Sequence, residues 1–328
     1  MIQVAEFFAP EPDRLWHLAK QAGVEHAIAS LPMPREGEKP WDYWSLLHMK
    51  TRFESFGLKL VGIESAPPQN RIKLGLPGRD EEIHTIIEFI ENMGALEIPM
   101  WCYNFMAEFN WLRTHTALPS RGGALVSGYD HRLMANAPLT KAGIVTEDSL
   151  WHNLHYFLER IVPHAEKARV RLALHPDDPP ISPIRGVSRI LTSADALERA
   201  IHLVPSPYSG ITLCQGTLAT AGEDIVSTIR RFAGQSKLFF VHFRDIQGTA
   251  EHFQETFHDA GQTDMFATMQ AYVSAGFDGP MRPDHVPTME GEDNHRPGYE
   301  TLGQLFALGY IRGLIEACEK TRPAPTSS

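Results

Sequence analysis

Short apolar runs alternate along this chain with longer amphipathic stretches. The short runs predict strands at Gln3–Phe8, His26–Leu31, Lys59–Ser65, Ile98–Asn104, Val170–His175, Ile211–Gln215, Leu238–Arg244 and Pro280–His285. Most end in Gly, Pro, Ser, Asn or Asp, residues that close strands. The longer stretches repeat apolar positions at helical spacing. They predict helices at Asp13–Ala22, Trp41–Phe56, Asp80–Met93, Asp148–Lys167, Ser193–His202, Glu223–Phe232, Asp264–Ala275 and Tyr299–Glu319. Start signals such as Thr146-Glu147-Asp148 and Thr192-Ser193-Ala194-Asp195 support several of these boundaries.

Eight strands, each followed by a helix, is the count of an α/β (β/α)8 TIM barrel. A doubly wound open sheet is the competitor. Its G-x-G-x-x-G fingerprint is absent after the first strand, and no G-x-x-x-x-G-K-[ST] loop occurs. The expected plan is one barrel domain over residues 1–320 and a frayed tail at 321–328. One stretch breaks the rhythm: residues 106–146, after the fourth strand, are rich in Gly, Pro, Asn and Ser and show no sustained period. An insertion there sits on the face where barrel active sites lie, and is expected to be a lid or an oligomer contact.

Composition narrows the function. The 30 lysines and arginines against 40 aspartates and glutamates give a net charge of −10, which speaks against nucleic acid because there is no basic surplus to neutralise phosphates. No apolar run approaches a membrane span. Cys102, Cys214 and Cys318 cannot build a disulfide framework, and Glu6 and Glu11 precede the first positive side chain, Arg14, unlike a secretory signal. The expectation is a cytoplasmic protein, without nucleic-acid or membrane partners, that works on a small molecule as a homo-oligomer.

The last four strands end in ligand-type residues: His175, Cys214, His242 and Asp284, spaced by 39, 28 and 42 residues. Each interval is close to one βα unit, so a closed barrel would bring all four to one point, where they would make a divalent metal site. Taken singly, such a His is more often structural and such a Cys a small buried hydrophobe. Glu64 ends the third strand and could face the mouth. Arg244 and Arg282 could clamp a carboxylate or form structural ion pairs. Tyr299 could be an acid or base or fill a core gap. His152, His155, Trp41 and Trp44 are expected to pack or lie on the surface, and neither Cys102 nor Cys318 receives a role.

These segments resemble a known family. Cys102-Tyr103-Asn104-Phe105-Met106, Trp111-Leu112-Arg113-Thr114, Ile63-Glu64-Ser65-Ala66-Pro67, His175-Pro176-Asp177-Asp178-Pro179-Pro180, Cys214-Gln215-Gly216, His242-Phe243-Arg244, Met281-Arg282-Pro283-Asp284-His285 and Pro297-Gly298-Tyr299 resemble, in order, segments of the metal-dependent D-mannonate dehydratases of the xylose isomerase-like barrel superfamily. The resemblance implies a Mn2+-type ion, or another divalent metal such as Fe2+ or Co2+, held by His175, Cys214, His242 and Asp284. It also implies His285 and Tyr299 beside the reacting carbons. Glu64, Asn104, Arg244 and Arg282 are the expected substrate contacts. The implied reaction removes water from a sugar acid to give 2-keto-3-deoxygluconate, with a base for the C2 proton and an acid for the C3 hydroxyl. Which of His285 and Tyr299 does which stays open. Three segments depart from the family pattern and are expected where substrate is contacted: Val4-Ala5-Glu6-Phe7-Phe8, Gln215, and Phe257-His258-Asp259-Ala260-Gly261-Gln262. The rivals are a sugar isomerase or epimerase on the same scaffold and a non-catalytic sugar-binding protein.

Overall fold

The structure, a computed structural model, describes residues 1–321. Its strands are β1 (Gln3–Phe8), β2 (His26–Ala29), β3 (Lys59–Ile63), β4 (Met100–Tyr103), β5 (His115–Pro119), β6 (Leu125–Asp130), β7 (Arg171–Leu174), β8 (Ser209–Cys214), β9 (Leu238–Phe243), β10 (Ile246–Thr249), β11 (His252–Glu255) and β12 (Pro280–Pro283). The helices are α1 (Arg14–Gln21), α2 (Tyr43–Ser55), α3 (Asn70–Leu74), α4 (Arg79–Ala95), α5 (Glu147–Ala168), α6 (Ala194–Leu203), α7 (Gln215–Thr220), α8 (Ile225–Gly234), α9 (Met265–Ser274) and α10 (Thr301–Thr321). Eight strands close a parallel barrel in the order β1-β12-β9-β8-β7-β4-β3-β2. This is the (β/α)8 TIM barrel expected from the sequence. Thr321 ends α10, and the rest of the expected tail lies outside the described residues.

Alternation along the strands builds two cores. Ala5, Ile28, Val61, Met100, Cys102, Ala173 and Phe240 cluster inside the barrel, with Phe7 against them. The other face meets the helices: Phe8 packs on Trp16 and Phe53, whose rings stack 4.1 Å apart. Cap geometry explains several helix starts. Asp13, Thr146, Ser193, Asp224 and Asp264 each accept a backbone N–H of the first turn. Among the described residues, no helix is long and apolar enough to cross a membrane.

The structure corrects the picture of the insertion. The stretch expected to lack regular structure holds β5 and β6, which pair with the β10–β11 hairpin in a four-stranded antiparallel sheet ordered β10-β11-β6-β5. At its centre Gly128 faces both neighbours; a Cβ there would meet Phe253 O at 2.8 Å and Leu118 Cδ1 at 2.6 Å. The barrel strands are also shorter than expected at their C-terminal ends. Glu64, Asn104, His175, Arg244 and Asp284 follow the last residue of a strand and build the mouth instead. The helices α3 and α7 were not expected; each is six residues or fewer and carries too little periodicity to read.

Glu6 is fully buried in β1, with Oε1 accepting Phe7 N–H at 2.7 Å and Oε2 without a partner. Burial pushes its pKa from 4.5 up to about 8. Because the folded value lies above the unfolded one, the acid stabilises the fold fully below about pH 4.5 and loses that contribution as pH rises through about 8. Wild type should therefore lose stability between roughly pH 5 and 9, by up to a few kcal/mol, and Glu6→Gln should flatten that slope. Denaturant melts of both proteins across this range check it; parallel slopes would show that Glu6 does not titrate there.

Candidate active site at the barrel mouth

The C-terminal ends of the strands surround a cavity of about 1060 Å³. Its wall includes Glu64, Asn104, His175, His242, Arg282, Asp284, His285 and Tyr299. Each arrives from a different βα unit or from the segment after β12, so the barrel's closure brings these side chains together.

His175 Nδ1 lies 2.6 Å from the Pro176 carbonyl. A carbonyl only accepts, so this nitrogen carries the proton and Nε2 keeps a lone pair. That Nε2 sits 3.2 Å from His242 Nδ1. Donor atoms of His175, Cys214 and His242 lie within 4.8 Å of one another. Cys214 Sγ accepts from Thr217 Oγ1 at 3.2 Å and Arg244 Nη1 at 3.3 Å. Asp284 stands beside this group, with Oδ2 3.7 Å from His242 Nδ1 and Oδ1 bonded to Arg282 Nη1 at 2.9 Å. Burial pushes the His175 pKa down, which favours the neutral ring a metal requires. Although burial opposes it, the guanidinium charges of Arg282 and Arg244 help hold the Asp284 carboxyl well below the usual range. His242 Nε2 is 3.3 Å from Glu64 Oε1, yet it is buried without an aligned hydrogen bond. Two imidazoles, a sulfur and a carboxylate gathered on the Nδ1 side of His242 are a donor set that fits a divalent cation. A second trio, Glu64, Cys102 and His242, meets the same distance criterion. Burial raises the Cys102 thiol well above its ordinary range, so that trio lacks a ready thiolate.

His285 and Tyr299 sit side by side, ring centroids 5.2 Å apart, with Trp111 edge-on to His285 at 4.9 Å. The strand ends at Pro283, and His285 adopts a left-handed φ of 47°. Gly298 lies against the ring; a Cβ there would stand 3.0 Å from His285 Nδ1, and its own φ of 86° suits glycine. His285 Nδ1 is buried without a partner. Burial, with Arg244 and Arg113 adding to it, pushes the His285 pKa well below the imidazole range. Burial, reinforced by Asp284, holds the Tyr299 phenol well above its own range, and its hydroxyl donates to Asp284 Oδ1 at 3.3 Å.

Both arginines expected to clamp substrate are engaged inside the protein. Arg282 forms a fork on Glu64 at 2.7 and 2.9 Å. Arg244 does not line the cavity; it binds Glu255 at 2.9 Å and Asp178 at 2.9 Å. Arg113, from the insertion, completes this network with two 2.8 Å bonds to Asp178 and two, of 2.7 and 3.1 Å, to Glu255. Sequence reasoning quoted Arg113 and Asp178 in motifs without giving them a role, and passed over Glu255 altogether. Of the three departing segments, only the first reaches the cavity, through Phe7. Gln215 is turned away, bonded to Tyr272 and Met265, and His258 is bonded to the Phe243 carbonyl.

Fold and site together define a (β/α)8 enzyme-type barrel whose mouth carries a His/Cys/His donor cluster beside a paired histidine and tyrosine. The profile of the D-mannonate dehydratase (UxuA) family matches residues 1–142 and 138–324. A mannonate dehydratase of Thermotoga petrophila is 37% identical over 337 residues, covering 92% of each chain. The crystal structure of mannonate dehydratase from Streptococcus suis serotype 2 superposes with a TM-score of 0.90 at 31% identity, over 99% of this chain and 98% of that one. An L-ribulose 3-epimerase structure shares the fold alone, with a TM-score of 0.63 at 15% identity over 99% of this chain and all of the other. The chain belongs to the D-mannonate dehydratase family.

The buried network makes a direct prediction. Asp178→Asn leaves Arg113 and Arg244 sharing Glu255, so unfolding free energy should fall by roughly 3 kcal/mol, the usual cost of breaking a buried ion pair from one side. Equilibrium denaturation reads it; a loss within a few tenths of a kcal/mol would show that the network carries no stability.

Proposed function

We propose that this chain is a hydro-lyase that dehydrates D-mannonate to 2-keto-3-deoxy-D-gluconate, with His175, Cys214, His242 and Asp284 as ligands of a divalent metal. The observation that carries the proposal is the pairing of that donor cluster with an adjacent neutral imidazole and neutral phenol on one cavity wall. Mn2+ is the first ion to try, with Fe2+ and Co2+ next. A bound divalent ion supplies Lewis-acid stabilisation for negative charge on the substrate's oxygens.

The remaining work falls to side chains. His285 is held neutral on the cavity wall, so its imidazole suits removal of the C2 proton. Tyr299 keeps its proton and suits delivery of one to the departing C3 hydroxyl. One proton leaves carbon, one joins the hydroxyl, water departs, and the resulting enol becomes the keto group. Asn104 fixes its Oδ1 on Lys73 and Met106 N–H at 3.0 and 3.1 Å, which leaves its NH2 to meet a substrate hydroxyl. Glu64 and Arg282 hold each other and frame the same wall. In this reading their contact with substrate is through the shape of the pocket rather than through a free charge.

Three variants separate chemistry from ligation. His285→Asn tolerates the left-handed backbone, and Tyr299→Phe keeps the ring. Both should retain metal and melting temperature while turnover of D-mannonate falls roughly 10²–10⁴-fold. Asp284→Asn should lower metal content itself. Metal analysis, melting and single-turnover assays of 2-keto acid formation on the same preparations check this. Near-normal turnover in both His285→Asn and Tyr299→Phe would sink the mechanism. An epimer or aldose–ketose mixture from wild type would replace the lyase with an isomerase.

A further inference from the structure

Removing Arg244 and Arg282 as free cations leaves a question of charge balance at the mouth. A sugar acid brings a carboxylate into the cavity, and buried anions need a partner. Of the cations on the cavity wall, Arg282 is held by Glu64 and Asp284, and Arg296 is exposed and bonded to the Tyr299 carbonyl. The third is Lys73, on the short helix α3, only 4% exposed. Its ammonium has three protons. Two are used, on Asn104 Oδ1 and on the Met106 carbonyl, both at 3.0 Å. Both acceptors are neutral, and among the described residues no carboxylate lies within ion-pair distance of it; Glu82 and Asp177 act on it only at longer range, and Arg189 opposes them. Glu82 Oε2 accepts the Ile72 N–H and Asp177 Oδ2 the Ile190 and Leu191 N–H groups; Asp177 Oδ1 is buried without a hydrogen-bond partner and makes no ion pair with Lys73. A buried lysine is rarely found without a partner. Its position is built: the Lys73 carbonyl is tied to Asn153 Nδ2 at 3.0 Å.

We infer that Lys73 is the anchor for the substrate's carboxylate, and that it selects acids over neutral sugars of the same length. The inference rests on the dehydratase reading for the identity of the acid. A carboxylate entering the cavity takes the third ammonium proton as a charge-assisted hydrogen bond and supplies the missing counter-charge. Lys73 also holds Asn104, one residue beyond β4 and beside His175, whose N–H is bonded to the Tyr103 carbonyl at 2.8 Å. One cation thereby sets the acid's end near the His175 side of the mouth.

The test uses the full chain loaded with Mn2+. Lys73→Met should raise KM for D-mannonate about 100-fold with a smaller change in kcat, the scale expected for a lost charged hydrogen bond. Lys73→Arg should recover at least a tenth of the wild-type kcat/KM, and metal content should be unchanged in both. Inhibition by D-mannitol, which has the same carbons and no carboxylate, should be unaffected. A KM within twofold of wild type in Lys73→Met overturns the inference, as does an equal weakening of D-mannitol and D-mannonate. Should Lys73→Met fail to fold, wild type decides: D-mannonate, and not D-mannitol, should protect Lys73 from acetic anhydride in peptide mass analysis, and equal labelling overturns the proposal. If wild type neither binds nor converts D-mannonate, the substrate reading fails. Lys73 then stands only if another aldonate protects it, and falls if none does.

Discussion

Two arginines and two carboxylates, taken out of water together, hold the functional end of this protein in one arrangement. Arg113 comes from the insertion, Asp178 from the loop after β7, Arg244 from the end of β9, and Glu255 from β11. All four are buried. The pairs are individually expensive to desolvate, and such a cluster holds only when every member is present. Its formation therefore couples the insertion, the loop after β7 and the β9–β11 region, three parts of the chain far apart in sequence. The small antiparallel sheet is bound to the barrel through Arg113 and Glu255, and the same Arg244 that serves this network also donates to Cys214 Sγ. Whatever displaces the sheet disturbs the sulfur.

The barrel was legible because its strands are parallel and covered on both faces, so each appears as a short apolar run between helical stretches. The ends were legible only approximately. A residue such as His175 or Asp284 continues the apolar run in sequence, but its polar side chain belongs to the mouth and the ladder stops before it. The four-stranded sheet was not legible. β5 exposes most of its residues, β10 has four, and β6 finds its partner β11 more than a hundred residues downstream. No local period marks such strands, and their pairing is a property of the closed barrel.

Site residues followed the same division. One ligand-type side chain per βα unit is visible in sequence, because barrel geometry converts regular spacing into proximity. A charge's partner is not visible. Arg244 and Arg282 carry the right chemistry for a carboxylate, and the folded chain commits both to its own acids. Lys73 shows the opposite failure. It lies in a five-residue helix between β3 and α4, where a lysine reads as solvated surface. Burial beside Asn104 is set by how α3 folds over the mouth and against α5, through Asn153.

The turn at His285 explains how two adjacent residues serve one cavity. In a continuing strand, Asp284 and His285 would point to opposite faces. β12 stops at Pro283, and the left-handed φ at His285 swings its ring back to the wall that Asp284 already faces. Such a conformation costs about 1–3 kcal/mol in a residue with a Cβ and persists only where its surroundings impose it. Here Trp111 and Tyr299 press on the ring, Gly298 leaves room for it, and Val286 N–H bonds the Gly298 carbonyl at 2.8 Å to close the turn. Trp111 is two residues from Arg113, so the buried ion network also holds the ring that holds His285. The strain at His285 and the order of the insertion thus have a common support.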